Sequence, residues 1–157
     1  MLVEDDFAKV LLTEMIRQID RTLLRCLSIH EVGDSKAVRN AALFMQRINR
    51  SYLAVRDADI GPDATNGILS FPGTMPPEKE VFLNANVQAL ISSDFGIEVT
   101  TVLEQREVFN HHKFAEVLAD EASTSPDYLR TLAIKCYLES IGTQAYQSLV
   151  TEIQKRV

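Results

Sequence analysis

Two groups of side chains in this sequence have the types that metal or acid–base chemistry needs. The first is Glu104, Glu107, His111, His112, Glu116 and Asp120. Glu107/His111 and His112/Glu116 are i,i+4 pairs, so on a continuous helix each pair meets at the surface. The di-iron bundle pattern requires Glu-x-x-His twice, with further glutamates from other helices. Here the residue three after Glu107 is Asn110, and no second copy exists. His111 falls beside an apolar face of Leu103, Phe114 and Leu118, which reads as a core-edge histidine, and His112/Glu116 reads as an exposed polar pair. Spacing leaves open whether His111 joins Glu104 and Glu107 in a site. The second group is Asp57-x-Asp59-x-Gly61-x-Asp63. An EF-hand loop wants glycine at its sixth position and glutamate at its twelfth. Pro62 and Ile68 stand there, so the segment reads as turn chemistry with, at most, a weak and irregular cation site.

Nucleophilic catalysis finds no footing. There is no Gly-x-Ser-x-Gly elbow and no Gly-Lys-Ser/Thr phosphate loop. Cys26 and Cys136 each sit inside a helical apolar pattern and read as reduced, buried, small hydrophobes. Leu2-Val3-Glu4-Asp5-Asp6 resembles the acidic opening of response-regulator receiver domains, whose paired acids after the first strand hold magnesium. That resemblance implies alternating strands and helices, a phosphoacceptor aspartate about fifty residues on, and a later lysine. The acids here run straight into a helical pattern, and Asp57 and Asp59 follow no apolar strand run. The expectation is therefore a helix N-terminus, where acids complement the dipole. No catalytic, cofactor-binding or metal-ligating residue is assigned.

The elements that would position these groups read as helices. Leu12, Met15, Ile16, Ile19, Leu23, Cys26 and Leu27 recur at three- and four-residue spacing, predicting one helix over 7–29. Asp34 or Ser35 caps a second, reaching about Arg56, and the short link implies an antiparallel hairpin over 1–56. Residues 57–77 hold four of the five prolines and three of the six glycines, predicting one long loop. In it, Ile68, Leu69 and Phe71 form an apolar flap. Pro76-Pro77-Glu78 opens a third helix running to about Ser92, and Thr101-x-x-Glu104 opens a fourth running to about Ala122. Ser125 and Gly142 bound a fifth, and Tyr146, Leu149, Val150 and Ile153 mark a short sixth. The fold expected is all-α, with five or six helices in a single bundle-like domain.

Charge is unevenly laid out. The net is −6 over 157 residues, yet residues 17–56 carry eight bases and three acids. Arg17, Arg21 and Arg25 are successive i,i+4 neighbours, and Lys36, Arg39, Arg47 and Arg50 share one helical face. They either pair with the acid-rich 78–127 segment or stay free for an anionic partner. The last two helices fit a helix-turn-helix loosely, but a DNA reader wants a basic domain. No apolar run approaches the roughly 18–20 residues of a membrane helix, and MLVEDDF meets acid too early for a signal peptide. These features predict a non-enzymatic, cytoplasmic protein–protein interaction module. It would bind an acidic protein surface or a second copy of itself through the basic face, through Ile68, Leu69 and Phe71, or both. A nucleic-acid-binding regulator, and a helical ligand sensor or metal-dependent enzyme, are the alternatives.

Overall fold

The computed structural model describes residues 1–157 and divides into two units, Met1–Pro77 with Thr143–Val157, and Glu78–Gly142. The first unit is α/β, which overturns the all-α expectation. Its order is β1 (Leu2–Val3), α1 (Asp6–Ile19), β2 (His30–Glu31), α2 (Ser35–Arg47), β3 (Ala54–Arg56) and β4 (Ile68–Ser70). The chain returns to this unit in α8 (Gln147–Gln154). All strand pairs are parallel, in the order β2-β1-β3-β4. Ala54 and Ile68 pack on Val38 and Ala42 of α2. Val3 and Val55, equally buried, point to the opposite face by the period of two.

The strands escaped the sequence pattern because they are two or three residues long and carry no alternation. The largely buried β1, β3 and β4 read as short apolar runs that a helix could equally own, and the exposed His30-Glu31 of β2 carries no strand signal at all. The helix ends escaped it for a different reason. The stripe from Leu12 to Leu27 is interrupted at Asp20, whose Oδ1 accepts from the Thr22 amide at 2.9 Å and the Thr22 hydroxyl at 2.6 Å. That local turn stops α1. Helix α2 stops at Asn49, which takes a φ of +51°. The Asn49 N–H bonds the Gln46 carbonyl and the Arg50 N–H that of Met45. This is the Schellman closure, made here by asparagine instead of glycine. The helical hairpin predicted over 1–56 is thereby replaced by a β-α-β-α-β run. Ile68 and Phe71, the expected flap, are 1% and 4% exposed, and Ile68 and Leu69 lie in β4.

The second unit is helical: α3 (Pro77–Phe82, beginning one residue before it), α4 (Ala85–Phe95), α5 (Val99–Gln105), α6 (Phe114–Glu121) and α7 (Pro126–Ile141). Asn84 splits the expected third helix; its Oδ1 caps α4 through the Asn86 and Val87 amides at 3.0 and 3.3 Å. Glu107 splits the expected fourth by a Schellman closure at φ +51°. Helix α7 starts at the Ser125 cap and ends at Gly142. Its Ile134, Tyr137 and Leu138 are buried, and burial, helped by the charge of Glu80, pushes the Tyr137 phenol up to about 12. Cys26 is exposed, not buried, because helix α1 has ended before it; Cys136 is half-buried. No helix is long and apolar enough to cross a membrane.

Candidate functional site

The carboxyl ends of three parallel strands deliver acids to one edge of the sheet. Glu4 and Asp5 follow β1, Asp34 follows β2 by way of Gly33, and Asp57 and Asp59 follow β3. The backbone fixes this edge tightly. The Val32 N–H bonds the Val3 carbonyl at 3.0 Å, and the Gly33 N–H bonds the Glu4 carbonyl at 2.9 Å. Gly33 takes φ +113°, with the Ala37 Cβ 3.3 Å from where its own Cβ would stand, so a side chain is unwelcome there.

Glu4 is the centre of the arrangement. Its Oε1 accepts the Asp57 N–H at 3.0 Å, which couples the ends of the two neighbouring strands β1 and β3. Burial raises the Glu4 carboxyl above its ordinary value. The Asp57 amide opposes that rise, and the charges of Asp5, Asp59 and Asp34 add to it. Asp57 itself is only 6% exposed. Asp5 and Asp34 are committed as N-caps, accepting from the Ala8 and Ala37 amides at 2.8 Å each. Desolvated and mutually repelling carboxylates concentrate negative charge in one place, an arrangement that favours a hard cation with oxygen ligands.

The connections leaving β1 and β3 go to opposite sides of the strand order, so Glu4 and Asp57 flank the point where the order reverses. Ligands of open parallel sheets sit at that crevice, outside the carboxyl ends. The acids read from the sequence as a helix N-terminus and a loop thus follow strands: Glu4 and Asp5 come after β1, and Asp57 after β3.

Beside this edge, Asp63 accepts from the Asn66 side chain at 2.7 Å and lies 3.8 Å from Arg39 Nε. The Asn66 bonds, with help from Arg56 and Arg39, hold its carboxyl below the usual range. Arg56 donates to the Gly61 carbonyl. The Asp57–Asp63 segment is therefore a braced turn, and Asp63 belongs to the brace.

The histidine group of the sequence is dismantled. Helix α5 ends at Gln105, so Glu107 and His111 share no helix face, and Glu104 and Glu107 are both exposed. Glu116 pairs with Lys113 at 2.8 Å, and Asp120 with Arg106 at 2.7 Å. His111 and His112 instead gather with Glu78, a residue that the sequence placed only at the opening of the third helix. Of the predicted basic residues, Arg39 meets Asp63 and Arg17 meets Glu14, whereas Arg21, Arg25, Lys36, Arg47 and Arg50 are exposed. Arg50 lies outside α2, so the single basic helical face ends at Arg47. Asp57 and Asp59 read from the sequence as turn chemistry with at most a weak cation site, Glu4 as an acid of a helix start, and Glu78 carried no ligand role. The available signal was Leu2-Val3-Glu4-Asp5 with an aspartate about fifty residues later. No protein-family model, curated protein or solved structure matches this chain.

Proposed function

We propose that Glu4, Asp57 and Asp59 bind a divalent cation, Mg2+ in the first instance, and that the α/β unit uses it to bind and process a phosphate ester. The observation that carries this reading is the desolvated Glu4 joined to Asp57 at the reversal point of a parallel sheet. Mg2+ is typically held by one or two carboxylates, keeps several waters and completes its shell with substrate phosphate. Bound there, the ion would polarise a phosphoryl oxygen and lower the pKa of a coordinated water. Lys36 and Arg39, in the first turns of α2, add positive charge where that helix leaves the same edge.

The test is thermal unfolding in chelator and then in millimolar Mg2+ or Mn2+, followed by hydrolysis of bis-p-nitrophenyl phosphate. The cation is expected to raise Tm, and Glu4→Gln and Asp57→Asn to abolish that rise. Each variant should also lower the hydrolysis rate roughly 100-fold or more. Unchanged Tm in wild type, or hydrolysis that survives both substitutions, defeats the reading. Acetyl phosphate separates the receiver-like alternative, which requires covalent labelling of Asp57.

A second reading concerns α2, where Phe44 and Ile48, the latter just past the helix end, are 60% and 46% exposed beside Arg47 and Arg50. Apolar and arginine groups side by side suit an acidic protein surface or a second copy of the chain. Phe44→Asp/Ile48→Asp would then abolish association measured by light scattering. Binding to nucleic acid would instead fall steeply with salt.

A further inference from the structure

The helical unit holds a second set of metal-ligating side chains, which the phosphate chemistry proposed above does not use. Glu78 in the first turn of α3, and His111 and His112 in the 3-10 turn before α6, each offer one ligand atom, all within 4.8 Å of one another. His112 Nδ1 lies 2.8 Å from Glu78 Oε1. The two imidazole rings stand 4.1 Å apart, centroid to centroid, tilted by 45°. The turn that carries them is anchored by Asn110, whose Oδ1 accepts the His112 N–H at 3.1 Å.

Chemistry and geometry agree on the class of ion. Two imidazoles and one carboxylate are a standard zinc ligand set, whereas Mg2+ and Ca2+ prefer oxygen alone. Two ligands about 2.05 Å from a tetrahedral ion stand about 3.3 Å apart. The 2.8 Å Glu78–His112 contact therefore needs to open by only about half an ångström. The wider separations, those to the half-buried His111, stay within 4.8 Å and close by rotating the two imidazole rings. Glu78 is a different kind of ligand. Its side chain is 4% exposed, so packing and not solvent holds it in place.

We propose that Glu78, His111 and His112 form a mononuclear Zn2+ site whose fourth position faces solvent. Such an ion ties the start of α3 to the turn before α6, so it clips the helical unit together, and its open position takes water or an anionic ligand. The site stands independently of Glu4 and Asp57.

The experiment uses the full chain, stripped with chelator and then titrated with ZnCl2 by calorimetry in excess Mg2+, which keeps the carboxylates of the sheet edge out of the signal. Co2+ in place of Zn2+ supplies a visible spectrum that reports tetrahedral coordination. One equivalent is expected to bind. His111→Asn/His112→Asn is expected to weaken it roughly 10–100-fold or more and to erase the Co2+ bands. Glu78→Gln should do the same, and zinc should raise Tm only when the three ligands are present. A control, Cys26→Ser/His30→Gln, removes other exposed donors and should change nothing. The proposal is overturned if wild type binds no zinc, if the double histidine variant, folded by circular dichroism, binds as well as wild type, or if binding is lost only in the control.

Discussion

At the scale of single residues, Glu4 shows how a site can work against the stability of the fold that carries it. Its raised carboxyl means that, just above the ordinary value of 4.5, the folded chain still holds a proton that the unfolded chain has lost. Unfolding then releases a proton, so this group's contribution to stability falls as pH rises from 4.5 through the raised value, and levels once both states are ionised. Denaturant unfolding in chelator between about pH 4 and about pH 7 should show that decline in wild type relative to Glu4→Gln. A cation at the site should flatten it, since the ion compensates the charge that the proton otherwise removes. A wild-type curve parallel to that of Glu4→Gln would mean that the Glu4 carboxyl is not raised. The half-buried carboxyls of Asp20, Asp63 and Glu152 are held low and act in the opposite sense, which is why the comparison with Glu4→Gln is the informative one.

At the scale of elements, the recurring device is the left-handed closure made without glycine. Asn49, Glu107 and Ser123 all take φ +51°, and each is followed by the paired backbone bonds of a Schellman motif. For glutamate that conformation is strained, because its Cβ crowds the following carbonyl. Glu107→Gly should therefore stabilise the helical unit by about 0.5–1 kcal/mol, read from the urea midpoint at unchanged m-value. Loss of a good cap should act in the other direction. Asn84→Ala leaves two amides of α4 without their acceptor and should cost about 1 kcal/mol. These closures also explain the overlong helices read from the sequence. Apolar spacing ran on past Asn49 and Glu107, and nothing as loud as glycine or proline marked the stops.

At the scale of the whole molecule, the α/β unit is discontinuous in sequence: residues 78–142 lie between β4 and α8. Helix α8 rejoins it through buried Leu149, Val150 and Ile153. The buried Tyr146 hydroxyl donates to Gln18 Oε1 at 2.6 Å, and Arg156 donates to the Gly67 carbonyl at 2.8 Å. Truncation after Gly142 should consequently strip hydrogen-exchange protection from α1 and the sheet while α7 keeps its own. Equal loss in both units would mean that they unfold as one.

The sequence by itself determined what local physics controls. Ser125 and Gly142 bound α7, the apolar stripe of Leu12, Met15 and Ile16 is buried, and Asp34 caps α2. These follow from rotamers, caps and periodicity within a few residues. Tertiary structure alone decided that Leu2-Val3, His30-Glu31, Ala54–Arg56 and Ile68–Ser70 are strands, because a strand of two or three residues exists only through partners distant in the chain. It also decided the candidate sites. Glu4 meets Asp57 across 53 positions and His112 meets Glu78 across 34, separations that no helical or strand period can register.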